Sequence, residues 1–240
     1  MMKKLVVITG ASSGIGEATA KRLSAAGHPL LLVARRVEKL HALNLPNCLC
    51  EKVDLTNPAE FQAALVKAEA LYGPTDLLIN NAGMMLLGQI DSQPADEFKT
   101  MFDINVIALL NGMQAVLAPM KARKGGTIIN ISSIAGRKTF GNHAAYCGTK
   151  FAVHAITENV REEVASSDVR VITIAPGAVE TELLSHTTSD EIKAGYESWK
   201  EVMGKILDPD DVARAIEFAY AQPQDVCIRE IVLASTRQEP

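Results

Sequence analysis

The sequence predicts an α/β protein: one doubly wound domain, a parallel seven-stranded sheet with helices on both faces. Three observations predict it. Short apolar runs alternate with helical patterns along the chain, the rhythm of strand–helix–strand units with right-handed crossovers. At 240 residues the chain can bury one full core. Its 48% hydrophobic and 5% aromatic content suits a sheet covered by aliphatic helices. No low-complexity linker or internal repeat divides 1–240, so a single domain is expected.

Strands are expected near 4–9, 29–34, 48–53, 76–80, 126–131, 169–175 and 228–233, and helices near 14–26, 36–43, 58–72, 95–123, 144–167 and 209–221. The first strand is the β-branched, apolar run Leu5 to Ile8. Gly10, Gly14 and Gly16 follow at once, around Ser12, Ser13 and Ile15, and then a helical pattern with apolar Ala18, Leu23 and Ala26. Strand, glycine turn and helix in this order make a dinucleotide signature, here spaced G-x-x-x-G-x-G. Gly10 allows a tight turn, Gly14 admits a pyrophosphate to the backbone, and Gly16 lets helix and strand pack closely. The helix N-terminus offers free N–H groups to phosphate.

The second strand, Pro29 to Ala34, ends in Arg35-Arg36. A site for an unphosphorylated ribose places an acid near this point to bond the 2′-hydroxyl. Ala34 and two guanidiniums suit a 2′-phosphate instead, so NADP is the expected cofactor. The other reading is that Arg35 and Arg36 begin a solvated helix.

Net charge −4 argues against nucleic acid or an anionic membrane surface as partner. No apolar run reaches the ~18 residues of a span. Met1-Met-Lys-Lys resembles the start of a signal peptide, but Gly10 to Gly16 interrupts the apolar stretch, so a cytoplasmic protein is expected. Cys48, Cys50, Cys147 and Cys227 have no metal spacing and read as reduced thiols. Cys48 and Cys50, a C-x-C on a strand, are expected to point to opposite faces. No metal site is expected. The segment 177–208 breaks the rhythm as a long polar connection carrying Tyr196 and Trp199, the expected position of a substrate lid.

Tyr146 and Lys150 stand four residues apart, on one face of a helix. An unperturbed phenol titrates near pH ~10. A neighbouring ammonium favours the phenolate and is expected to bring it down toward the working range of a general acid. Alone, such a pair is more often surface detail; behind a dinucleotide signature it becomes a candidate site.

With these motifs in place the chain resembles the short-chain dehydrogenase/reductase family, with its Rossmann fold, over nearly its whole length. Thr9 to Gly16 resembles the family's cofactor turn, and Arg35 stands where NADP-preferring members carry a basic residue. Asp54 resembles the acid that contacts adenine, with Leu55 beside it. Asn80-Asn81-Ala82-Gly83 resembles the motif that stabilises the central sheet and runs under the cofactor. Asn105 resembles the active-site Asn, which implies a water linking Lys150 to solvent; the other reading is a helix-bend residue. Ser133 stands thirteen residues before Tyr146, the family's spacing for its catalytic Ser. Pro176-Gly177, Val179 and Thr181 resemble the turn and hydroxyl that hold the nicotinamide carboxamide.

There are departures. Gly141 stands where many members have Pro, and Cys147 and Gly148 replace commoner residues inside the Tyr-Lys motif. Asp208 to Ala215 resembles bacterial NADP-dependent hydroxy-acid and small-alcohol members. The chain is also similar to members in which bound NADPH emits blue fluorescence. The resemblance implies NADPH-dependent interconversion of a carbonyl compound and a secondary alcohol or hydroxy acid. Ser133 would hold the substrate oxygen, Tyr146 would move the proton, and Lys150 would bond the nicotinamide ribose. The alternative is an NADPH-binding emitter or sensor with little turnover. Met84, Met85, Leu183, Leu184, Tyr196 and Trp199 form either an apolar substrate wall or ordinary packing. His143 is placed at the pocket mouth, His154 in the core or an interface, and Ser132 in a structural role. Family habit implies a homotetramer or homodimer built partly from helices 95–123 and 144–167.

Overall fold

The computed structural model describes residues 3–239. Seven strands, β1 (Leu5–Thr9), β2 (Leu30–Ala34), β3 (Cys48–Lys52), β4 (Thr75–Asn80), β5 (Gly126–Ile131), β6 (Val169–Pro176) and β7 (Glu230–Leu233), form one parallel sheet in the order β3-β2-β1-β4-β5-β6-β7. The doubly wound parallel sheet is as the sequence predicts. Alternate side chains of each strand feed two cores. On one face Leu5, Val7, Leu31 and Val33 meet helices α3 (Pro58–Tyr72), α5 (Ala108–Ala122) and α6 (Ala144–Val164). On the other, Val6, Ile8, Leu30 and Leu32 meet α1 (Gly14–Ala25), α2 (Val37–Ala42) and α8 (Pro209–Tyr220).

Local chemistry sets the helix starts. The Asn57 side chain accepts Ala59 N–H and Pro58 occupies the first turn of α3. Asp208 and Asp211 form a reciprocal capping box at α8, again with Pro in the first turn.

Four features differ from expectation. First, Cys48 and Cys50 share one face, with their sulfurs 3.7 Å apart. Side chains alternate along a strand, so i and i+2 point the same way. Both thiols are free, and burial with the neighbouring thiol pushes Cys48 up to about 12.

Second, the helix expected over 95–123 is α4 (Ala95–Phe102) and α5 joined by a π-helical turn, Asp103–Ile107, which carries Asn105. Third, this Ala95–Ala122 run is long and apolar enough by length and mean hydropathy to cross a membrane, although no uninterrupted apolar stretch in it reaches ~18 residues. Its Leu109, Met113, Val116 and Met120 are buried in the core, packed on the sheet.

Fourth, the connection 177–208 contains a helix, α7 (Asp190–Met203). Ser189 caps it through Ile192 N–H, and Asp190 and Glu191 lie in its first turn. Ile192, Tyr196 and Met203 fall on one helical face.

Inside the sheet a polar network ties β4, β5 and α6 together. Asn80 Nδ2 donates to Asn130 Oδ1 at 2.9 Å, and Asn130 Nδ2 donates to Thr157 Oγ1 at 2.9 Å. Gly112 makes room: a Cβ there would lie 2.5 Å from Asn80 Oδ1. Asn130→Ala strands the amide of Asn80 and opens a cavity. We expect a loss of about 2–4 kcal/mol, read from the midpoint of urea unfolding. A change under about 0.5 kcal/mol would mean the network contributes nothing.

Candidate active site

The sheet order reverses between β1 and β4, and the carboxyl ends of the strands diverge there into one cleft of 1690 Å³. That exceeds the ~300–1000 Å³ of an ordinary ligand pocket. Gly10, Ser12, Ser13, Gly14 and Ile15 line its floor. Gly10 and Gly14 adopt φ of 65° and 54°, where a side chain is strained. A Cβ on Gly10 would lie 2.7 Å from Ala82 Cα, one on Gly16 2.5 Å from Asn81 Nδ2, and one on Gly14 2.9 Å from Thr181 Cγ2. Asn81 and Ala82 thus sit directly against the turn, and Gly83 follows them toward Lys150.

Arg35 and Arg36 border the cleft beyond β2. Arg36 donates to Ser13 Oγ at 3.1 Å and, more weakly, to Ser12 Oγ at 3.4 Å. Its other nitrogen lies 2.8 Å from Glu182. Asp54 and Leu55 line the same side. Asp54 accepts from the backbone and hydroxyl of Thr56, and these bonds hold its carboxyl below the usual range.

Across the cleft α6 presents Tyr146 and Lys150, both buried. Lys150 Nζ lies 5.7 Å from the centre of the Tyr146 ring and donates to Ile131 O at 3.1 Å. Ser133 caps the short turn Ile134–Gly136 by accepting Ala135 N–H, and its hydroxyl is near enough to the Tyr146 phenol to favour the phenolate. The expected lowering of Tyr146 by Lys150 is not what the site shows. Burial pushes the phenol well above its usual range, with Tyr196 adding to the rise and Ser133 opposing it. Burial lowers Lys150 to about 8. Low dielectric favours the neutral form of both groups and outweighs their attraction.

Asn105 is buried and spent on the backbone: Oδ1 accepts Met84 N–H at 2.8 Å, and Nδ2 donates to Met84 O at 2.9 Å and Thr149 Oγ1 at 3.1 Å. Thr149 in turn donates to Tyr146 O at 2.7 Å. Asn105 therefore positions the strand end under the cleft relative to the Tyr146 turn.

Beyond Tyr146 the cleft is walled by Met84, Met85, Leu183, Leu184, Tyr196 and Trp199. Tyr196 and Trp199 meet edge to face at 5.2 Å, and His143 lies between Tyr146 and Tyr196 at 6.2 and 6.3 Å. His143 is held below its usual pKa by burial. His154 is outside the cleft, 3.3 Å from Glu230 on β7, and Ser132 donates to Lys150 O. Pro176, Gly177, Val179 and Thr181 line the rim after β6.

Sequence reasoning missed Gln238 here. Its Oε1 accepts Ala178 N–H at 2.9 Å, while its Nε2 is buried without a protein partner. Nothing local marks a Gln sixty residues from the loop it holds. Glu182 was also missed, although it directly follows Thr181 in the motif.

The family profile for short chain dehydrogenase matches residues 4–192. An oxidoreductase of Staphylococcus saprophyticus is 39% identical, covering 98% of this chain and 97% of its own length. One of Listeria monocytogenes is 38% identical, with the same coverage. Among solved structures, the closed form of a serine dehydrogenase complexed with NADP+ superposes with a TM-score of 0.91 at 29% identity, covering 98% of this chain and 96% of the other. An alcohol dehydrogenase from the archaeon Thermococcus sibiricus, complexed with 5-hydroxy-NADP, gives 0.86 at 28% identity and 99% of both chains. The chain belongs to the short-chain dehydrogenase family. It is an oxidoreductase of that family, and its structural neighbours include NADP complexes.

The Lys150 value has a consequence for stability. The unfolded side chain, near 10.5, keeps a proton between pH 8 and 10.5 that the folded one, at about 8, has shed. Stability therefore rises with pH across that window, and the full cost of burying the ammonium is present below it. Tyr146 acts oppositely above pH 10, where only the unfolded phenol ionises. From pH 8 to 10 the guanidinium unfolding midpoint of the protein should climb relative to Lys150→Met. A constant difference would show that Lys150 keeps an ordinary pKa.

Proposed function

We propose that this chain is an NADP-dependent oxidoreductase that interconverts a carbonyl compound and a secondary alcohol or hydroxy acid. The observation that carries this reading is the buried Tyr146, flanked by Lys150 and sharing with Ser133 one cleft lined by the glycine turn. The residues present fit the cofactor. The backbone at Gly10 and Gly14 leaves a cradle that side chains would fill, and the buried Gln238 Nε2 is a free donor on the rim. Gly10, Ser12, Ser13, Gly14 and Ile15 would hold the pyrophosphate, Arg35 and Arg36 the 2′-phosphate, and Asp54 and Leu55 the adenine end. Asn81, Ala82, Gly83, Pro176, Gly177, Val179 and Thr181 would hold the nicotinamide half, with Lys150 on its ribose.

NADPH supplies the hydride when bound. Ser133 holds the substrate oxygen beside the phenol. Tyr146, raised by burial, is protonated at neutral pH and gives that proton to the carbonyl oxygen; in the reverse direction it takes the alcohol proton. Lys150, near 8, is close enough to neutrality to exchange a proton at working pH. Met84, Met85, Leu183, Leu184, Tyr196 and Trp199 would contact the substrate carbon skeleton, with α7 as the lid that closes over it. Phe102, Ile107, Leu110 and Phe151 are exposed apolar side chains on α4, the π turn, α5 and α6, and support a homodimer or homotetramer built on these helices.

Tyr146→Phe should lower turnover of a carbonyl substrate by about 10²–10⁴ and leave the NADPH dissociation constant within about twofold. Rates over a panel of ketones, aldehydes and keto acids, beside a calorimetric titration of NADPH, test this. Survival of activity within about tenfold would remove the phenol from the chemistry. Binding of NADPH by the unaltered protein with no turnover across the panel would favour a cofactor-binding emitter.

A further inference from the structure

Arg36 and Lys39 stand one helical turn apart at the start of α2, facing the mouth of the cleft. Both are claimed by one carboxylate from the other side of it. Glu182 Oε2 lies 2.8 Å from Arg36 Nη1, and Glu182 Oε1 lies 2.9 Å from Lys39 Nζ. The contact joins residues 143 apart in sequence, and it is built rather than incidental. Glu182 opens the turn Glu182–His186, which Thr181 caps by accepting Leu183 N–H. Thr181 itself rests against Gly14, where a Cβ would lie 2.9 Å away. Arg36 is thus shared between the hydroxyls of the glycine turn and an acid on the segment leading to α7.

Around this point Arg35, Arg36 and Lys39 stand opposite the turn that carries Glu182 and His186. His186 is held below its usual pKa by burial and by the two arginines, so it is neutral at working pH. Glu182 is held down to about 2 by Lys39 and Arg36, so it stays ionised. All three side chains in the clasp are roughly half exposed, so the ion pairs are worth little as stability. What they do is occupy the cations. A phosphate monoester at this spot would seek the same guanidinium in the same two-pronged way, and would meet a fixed negative charge.

We infer that Glu182 is a specificity-determining residue: it occupies Arg36 and Lys39, and a 2′-phosphorylated dinucleotide must displace it to bind. The inference rests on the NADP reading above. It makes the affinity for the 2′-phosphate the difference between two anions competing for one pair of cations. It also couples cofactor choice to the segment that carries the substrate wall, since releasing Glu182 frees the turn that bears Leu183 and Leu184. A dinucleotide without the 2′-phosphate leaves the clasp closed.

The test is calorimetric titration of the full chain with NADPH, NADH and 2′,5′-ADP, for the unaltered protein, Glu182→Gln and Glu182→Asp. Glu182→Gln keeps the shape and removes the competing charge. It should tighten NADPH and 2′,5′-ADP about three- to tenfold and leave NADH within about twofold. Glu182→Asp should stay near the unaltered protein. The gain should shrink in 1 M salt, where the Debye length is about 3 Å. Weaker NADPH binding in Glu182→Gln would show that Glu182 orients Arg36 for the phosphate instead of competing, and equal shifts for NADPH and NADH would show a purely structural role; either overturns the inference. If the unaltered protein binds neither NADPH nor 2′,5′-ADP, the NADP reading fails, and this inference with it.

Discussion

Everything at the cleft hangs on one tie across the place where the strand order reverses. Thr9, the last residue of β1, accepts Asn81 N–H at 3.0 Å and Ala82 N–H at 3.1 Å through its hydroxyl. Asn81 Nδ2 answers by donating to Thr9 O at 2.9 Å and Gly10 O at 3.1 Å. The ladder between β1 and β4 ends here, and its last backbone groups would otherwise face the cleft unpaired. The tie satisfies them and holds the glycine turn against the segment after β4. Two of the three signature glycines follow from it. Gly10 and Gly16 are glycine because Ala82 and Asn81 leave no room for a Cβ. A motif usually read as ligand chemistry is at these two positions first a packing requirement, and Gly14 is set against Thr181 on the opposite rim.

A second relay carries the same rigidity to Tyr146. Asn105 grips both backbone groups of Met84 and reaches Thr149, and Thr149 bonds the carbonyl of Tyr146. The π turn at Asp103–Ile107 presents Asn105 at this point, at the expense of regular helix. Below it, Asn80, Asn130 and Thr157 bind β4 and β5 to the middle of α6. The Tyr146 face of α6 is therefore fixed to the two central strands at two heights. Satisfied buried polar networks confer this kind of uniqueness.

The sequence shows whatever depends on spacing. The seven strands and their order of use, the glycine turn, the Tyr146–Lys150 face and the Ser133 offset are all local patterns. Some features were readable and passed over; others were hidden because they depend on distance or field. The helix α7 was legible in its Ser189 cap and its Ile192–Tyr196 spacing, but its many charges masked it as a loop. The same-face packing of Cys48 and Cys50 follows from strand geometry alone. The electrostatics of Tyr146 was not legible, since an i, i+4 pair says nothing about burial, and burial decides the direction of both shifts. Gln238 and Glu182 reach the cleft through tertiary contacts that no short window contains.

The physical division of labour follows from where these groups sit. Tyr146, Lys150 and Asn105 are buried, and each is held by buried hydrogen bonds that salt and surface substitutions barely touch. Arg36, Lys39 and Glu182 are half exposed and joined by ion pairs, which are weak, screened and easily exchanged. A buried, rigid proton site suits chemistry, because reacting atoms must be placed closely. An exposed set of competing charges suits selection, because a shift of about 1 kcal/mol, roughly fivefold in affinity, changes which ligand is held at little cost to the fold. The aromatic line from Tyr146 through His143 to Tyr196 and Trp199 crosses from the first region to the second. It joins the buried end of the cleft to α7, so any motion of the 182–203 segment alters the apolar wall of the cleft while Tyr146 stays held by its own bonds.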